Sequence, residues 1–147
     1  MARRGFTVLE LVIVLGLLAT LTATALLKGP RLIAGWRLAA AARQMVMDLK
    51  LARARAILTS ATHRVHFLSA DSTYRHERQR PSGTYDPIAP ATELPTTIAI
   101  AGCTAAGSGI SFRPRGNAGA FGTVSLRNGY GEQRAVVVDI VGRIRVQ

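Results

Sequence analysis

Ala2-Arg3-Arg4-Gly5-Phe6-Thr7-Val8-Leu9-Glu10 stands near the start of this chain, and an almost unbroken apolar run follows as far as Leu27. From Phe6 to Leu27 the only charged side chain is Glu10. A helix of about 20 apolar residues spans a bilayer, and Thr7, Thr20, Thr22 and Thr24 fit such a helix by returning their hydroxyls to its backbone. A carboxylate does not fit so easily. It costs about 2.5–3.5 kcal/mol on insertion scales, and an ionisable group in such a segment marks function by default. Glu10 therefore needs a reason.

Two ordinary readings leave Glu10 unused. In a secretory signal peptide, Arg3 and Arg4 supply the basic region and Ala23-Thr24-Ala25 the small-x-small cleavage site. The apolar stretch is long for that role and continues past the cut. In a plain membrane anchor, Lys28, Arg31 and Arg37 beyond the span oppose Arg3 and Arg4 before it, so charge leaves the orientation open.

A third reading uses the carboxylate. Arg3-Arg4-Gly5-Phe6-Thr7-Val8-Leu9-Glu10 resembles the class III signal of type IV pilins and type II secretion pseudopilins. The resemblance implies a leader of residues 1–5, cut by a prepilin peptidase between Gly5 and Phe6, and N-methylation of Phe6. Glu10 then takes the position of the glutamate these proteins use in assembly. A buried charge is tolerable when paired, and the cut creates a cationic amine four residues before Glu10. In a filament, Glu10 of one subunit pairs with the Phe6 amine of its neighbour and sets the axial register.

Charge is uneven along the chain. The net charge is +11, with 17 arginines against only Lys28 and Lys50 among the bases. Arginine suits planar contacts with phosphate or carboxylate. Between Lys28 and Leu58 seven basic residues meet one acid, Asp48, whereas from Thr59 onward ten basic residues meet six acids. The head is thus only mildly basic, and a solvated basic surface near anionic lipid accounts for much of the total.

Beyond the apolar run, Lys28-Gly29-Pro30 signals a break or kink. Helical periodicity then returns, with Leu38, Ala42, Met45, Leu49, Ala52 and Ala56 on one stripe and Arg37, Arg43, Lys50 and Arg53 largely off it. This predicts one long helix over about residues 6–58, with a membrane-spanning part over 6–27 and an amphipathic stem over 28–58. From residue 59 to 147 strand patterns take over. Residues 63–68 and 73–78 flank a four-residue loop, a hairpin register that places Arg64 opposite Glu77 and Val65, Phe67 and Tyr74 on the other face. Four prolines between 79 and 95 predict a surface loop. Further strands are expected at 97–101, 109–113, 122–127, 134–141 and 143–146, with glycines marking the turns. A helix followed by an antiparallel meander makes an α+β head.

The end of the stem, Ala52-Arg53-Ala54-Arg55-Ala56-Ile57, and two head segments, Ile110-Ser111-Phe112-Arg113-Pro114-Arg115-Gly116 and Gly142-Arg143-Ile144-Arg145, extend the family resemblance over most of the chain. They resemble GspH/FimT minor pseudopilins. That implies a bacterial inner-membrane protein with a single span and a periplasmic head, built with other major and minor pseudopilins near the tip of a type II secretion pseudopilus that supports protein export. Arg115 departs from the family, which often has an acid there. The lone Cys103 departs too, since some FimT-type heads carry a disulfide.

Nothing in the sequence points to an enzyme, a cofactor or a metal. No phosphate loop, nucleophile motif or catalytic carboxylate pair is present. His63 and His66 have opposite parity on a strand; His63 and His76 are diagonal neighbours, but no third ligand completes a site. The six acids of the head are scattered, unlike the clustered calcium ligands of major pseudopilins. DNA is the alternative partner. FimT-like members bind it for natural transformation through a C-terminal Gly-Arg-x-Arg element, which residues 142–145 match. The resemblance nominates Arg143 and Arg145, and alternation adds Arg113 and Arg115 as a second pair. The competing account is a solvated strand edge whose arginines blunt pairing.

Overall fold

The computed structural model describes residues 7–147. Its first element, α1 (Val8–Leu58), contains Pro30 within its length. The break expected at Lys28-Gly29-Pro30 is therefore not a helix end. Proline there removes one i→i−4 bond, at about 3 kcal/mol, and the many other helical bonds outweigh that loss. The chain divides into two compact units, one as far as Ile33 and the other from Ala34 to Gln147.

In the first unit, no residue of Val8–Leu26 is buried. Thr20, Thr22 and Thr24 return their hydroxyls to the carbonyls of Leu17, Leu18 and Leu21 at 2.7–2.8 Å, so none presents an unmet polar group. The helix starts on a cap that its sequence encodes. Thr7 Oγ1 accepts the Glu10 N–H at 3.2 Å, and Thr-x-x-Glu is the spacing of a capping box.

The second unit is built on the stem of α1. Leu38, Ala42, Met45, Leu49, Ala52 and Ala56, the stripe read from periodicity, are each 2% exposed or less. Three of the six are alanines, which let β-strands approach the helix closely. Past Leu58 the helix unwinds: Thr59 still bonds Arg55 O, and Ser60, with φ 49°, takes the left-handed turn that ends it.

Two sheets share this stripe, rather than the single meander expected. One is ordered β3 (Tyr85–Pro87), β2 (Thr73–Gln79), β1 (His63–Leu68), β6 (Gly109–Phe112), β7 (Ala118–Ala120), with β4 (Thr92–Glu93) also on β2. The other is ordered β10 (Ile144–Val146), β9 (Gln133–Val138), β8 (Gly122–Asn128), β5 (Ile98–Cys103). The long-range pairs β1–β6 and β5–β8 replace sequential ones. Val65, Phe67, Ile110 and Phe112 from the first sheet join Ile100, Val124, Leu126 and Val136 from the second in one core against α1.

The β1–β2 register is the predicted one, with Arg64 opposite Glu77. Arg64 Nη2 lies 2.5 Å from Glu77 Oε2 and its guanidinium stacks 3.8 Å above the Tyr85 ring. On the core face, the buried Tyr74 hydroxyl donates to Asp48 of α1, tying hairpin to helix. Burial first, and then this bond, hold the phenol well above its usual range. The proline-rich segment is not a free loop. Its β3 and β4 lie along β2, covering that edge where it would otherwise invite another strand. Leu49 is fully buried at the centre of the stripe. Leu49→Ala should lower stability by about 2–5 kcal/mol, read by denaturant unfolding of the full chain in detergent micelles.

Candidate functional site

Gly5 and Phe6, the expected cleavage site, lie outside the described residues. Glu10 lies in the first turn of α1, where the helix dipole favours a negative charge. It is exposed, and among the described residues its carboxylate has no ion-pair partner. The cap is a role for Thr7, whose hydroxyl accepts the backbone N–H of Glu10, and it is one the motif reading overlooked. The signal was present as the Thr7 to Glu10 spacing.

The four candidate arginines come together through two glycines. Gly116 and Gly142 both have left-handed backbone, at φ 81° and 83°. A Cβ on Gly142 would sit 2.4 Å from Gly116 O, so the 139–143 turn rests directly on the 113–117 turn. The Ala118 N–H donates to Ile140 O at 3.1 Å and reinforces the junction between the two sheets. Arg53 of α1 donates from Nε to Gly116 O at 2.7 Å, fixing the pair of turns against the helix. Arg113, Arg115, Arg143 and Arg145 are all exposed around this junction. Asp139 counters part of their charge. Its Oδ1 accepts the Arg143 N–H at 2.8 Å and its Oδ2 lies 3.7 Å from Arg145 Nη2. That backbone bond, followed by the charges of Arg143 and Arg145, holds its carboxyl below the usual range.

The mild charge of the head conceals a strong polarity. Gln79 bonds Thr62 O beside the end of α1, so Arg78 and Arg80 come from the same end of the sheet that carries the 113–117 turn. Arg80 pairs with Asp86. Six of the ten head arginines thus lie around the C-terminal end of α1, against only Asp86 and Asp139. The remaining four arginines, Arg64, Arg75, Arg127 and Arg134, are matched by four acids, Asp71, Glu77, Glu93 and Glu132. All the excess positive charge of the head is at one end. Sequence order scatters these residues over 68 positions, from Arg78 to Arg145, which is why their clustering was not legible.

His63 and His76 meet on the core face as predicted, with His63 Nδ1 and His76 Nε2 3.2 Å apart. Among the described residues no group of three or more metal-ligating side chains forms. The two rings are engaged instead by Thr59 and Arg55.

The glycine junction makes a direct prediction. Gly142→Ala forces an L residue into a left-handed backbone and against Gly116 O, so stability should fall by about 1–3 kcal/mol from the backbone alone. Gly129→Ala, where a Cβ meets open space, should cost less than about 1 kcal/mol. Thermal unfolding of the two variants side by side checks the difference.

Comparison with known proteins supports the same architecture. The minor pseudopilin EpsH from the type II secretion system of Vibrio cholerae superposes with a TM-score of 0.62 at 16% identity, covering 76% of this chain and 96% of that one. The type IV minor pilin FimU of Pseudomonas aeruginosa gives 0.58 at 16% identity, covering 75% and 87%. At these identities the likeness is one of fold, a long helix packed on antiparallel sheets. No curated protein matches the chain. The family model described as type II transport protein GspH matches residues 41–142. That match covers well over half of the sequence, and the chain belongs to the GspH family.

Proposed function

We propose that this chain is a minor pseudopilin, a structural subunit rather than a catalyst. A prepilin peptidase cuts its leader between Gly5 and Phe6 and the Phe6 amine is methylated. The subunit waits in the inner membrane with its head in the periplasm and then joins other pseudopilins near the tip of a type II secretion pseudopilus that supports export. One observation carries this reading. Val8–Leu26 is an apolar helical segment of 19 residues, none of which is buried. So much exposed apolar surface needs lipid or other helices around it. Beyond that segment Trp36, Met47 and Leu51 are exposed on the stem, at 74%, 64% and 45%, so apolar contacts with neighbours extend past the membrane span.

Glu10 is the charge that makes such packing selective. In lipid alone it is a penalty; beside the Phe6 amine of a neighbour it becomes a pair. Mass spectrometry of the membrane fraction should find an N-terminus at methyl-Phe6, and a chain beginning at Met1 or cut after Ala25 contradicts the reading. Glu10→Ala should abolish incorporation into filaments and leave membrane insertion intact, as measured by fractionating sheared filaments from membranes.

A second reading, a FimT-like type IV minor pilin that binds DNA for natural transformation, is favoured by one observation. The glycine junction gathers Arg113, Arg115, Arg143 and Arg145 at the end of the head that holds all its excess charge. Phosphate binding by such a surface weakens steeply with salt. On that reading the full chain in detergent binds duplex DNA at low salt, and Arg143→Ala with Arg145→Ala weakens binding by about tenfold or more. Absence of binding at low salt removes the reading.

A further inference from the structure

Four side chains where the last turn of α1 meets β1 and β2 close a ring of hydrogen bonds that the assembly role does not use. Arg55 Nη1 contacts His76 Nδ1 at 3.0 Å, His76 Nε2 contacts His63 Nδ1 at 3.2 Å, and His63 Nε2 contacts Thr59 Oγ1 at 2.9 Å. Thr59 Oγ1 in turn donates to Arg55 O at 2.7 Å. Only one assignment of protons satisfies every link. A guanidinium can only donate, so His76 Nδ1 accepts and the ring carries its proton on Nε2. That proton goes to His63 Nδ1, which places the His63 proton on Nε2, pointing at Thr59. The threonine hydroxyl then spends its own proton on the Arg55 carbonyl. Both imidazoles are neutral, and each has every nitrogen engaged.

The arrangement has no room for an added proton. On His76 it would point Nδ1–H at the Arg55 guanidinium, and on His63 it would point Nδ1–H at the His76 Nε2–H. We propose that this ring is an acid-released latch, which holds the last turn of α1 to the β1–β2 hairpin at neutral pH and lets it go when either histidine is protonated.

The surroundings support that direction. Arg55 and Asp48 face the pair from α1, and Arg78 and Tyr74 from β2, while the 89–92 segment beside them brings Ala89, Pro90 and Thr92 and no charge. β6 places Phe112 opposite His63. Burial first, then the charges of Arg55 and His63, bring His76 down to about 4; Asp48 only partly opposes this. Burial, then Arg78 and Arg55, lower His63. A histidine held below 6.5 when closed takes a proton more readily when open. Opening is therefore insensitive to pH above about 6.5 and increasingly favoured as pH falls from there toward about 4.

Release would reach the arginine end. Ile57 Cδ1 lies 3.0 Å from where a Cβ on Gly116 would sit, and Arg53 holds Gly116 O. The turn carrying Arg113 and Arg115 thus rests on the same last turns of α1 that the latch secures.

Amide hydrogen exchange of the full chain in detergent micelles tests the latch, with rates expressed as protection factors at about pH 7 and about pH 4.5. Protection of the Arg55–Thr59 amides should fall by about tenfold or more on acidification, while Val124 to Leu126 in β8 stay protected. Glutamine keeps one acceptor and one donor without titrating, so His63→Gln with His76→Gln should flatten the response, and His66→Gln, outside the ring, should leave it. An unchanged response in the double variant, or a flat one in the wild type, overturns the proposal. Should the double variant fail to fold, NMR titration of the wild-type rings decides the matter. A His76 midpoint near 4 supports the latch and one near 6.5 overturns it.

Discussion

One face of α1 must serve two sheets at once, and the head depends on it. Leu38, Met45 and Leu49 supply the volume, and Ala42, Ala52 and Ala56 supply the close approach, all at 2% exposure or less. Without that shared stripe the two four- to six-stranded sheets would each present an apolar face with nothing to cover it. The same helix leaves other apolar surface unmet. Among the described residues none of Val8–Leu26 is buried, and Trp36, Met47 and Leu51 stand exposed on the stem. A subunit whose main helix is half satisfied by its own fold is suited to a life first in lipid and then among other helices.

Charge supplies what apolar packing cannot, which is register and direction. Glu10 is the only charged residue between Phe6 and Leu27, so on the proposed reading its pairing decides how such a helix sits against another. In the head the corresponding device is the junction of Gly116 and Gly142. It converts two ordinary turns into a single arginine-bearing end, with Arg53 clamped between turn and helix. Away from that end the arginines and acids of residues 59–147 balance in number, so the excess charge of the strands is concentrated at one end. The histidine ring lies directly beneath that end and ties its support to pH.

Much of this was legible in the sequence where a pattern is local. The helical stripe from Leu38 to Ala56 and the alternation through His63–Leu68 and Thr73–Gln79 carry their own periods, and the Arg64–Glu77 pairing follows from a four-residue loop. What was not legible depends on contacts distant in sequence. Pairing of β1 with β6 leaves no mark in either strand, so two sheets were read as one meander. The β3 and β4 pieces are short and hidden among prolines, and Ala118–Ala120, a strand of small residues centred on Gly119, reads as a turn. For the site, residue type identified the arginines, but only the left-handed backbone and close approach of Gly116 and Gly142 bring them together. His63 and His76 were paired by register, while their engagement by Arg55 and Thr59 needed the helix to be placed on the sheet.

The central claim is that Glu10 finds its partner in a neighbouring subunit rather than within its own chain. Electron cryomicroscopy of assembled filaments containing this subunit measures that contact directly. The account predicts the Glu10 carboxylate within about 4 Å of the Phe6 amine of the adjacent subunit, at ion-pair distance. A Glu10 facing lipid, or lying farther than that from any neighbouring amine with the leader still attached, would contradict it.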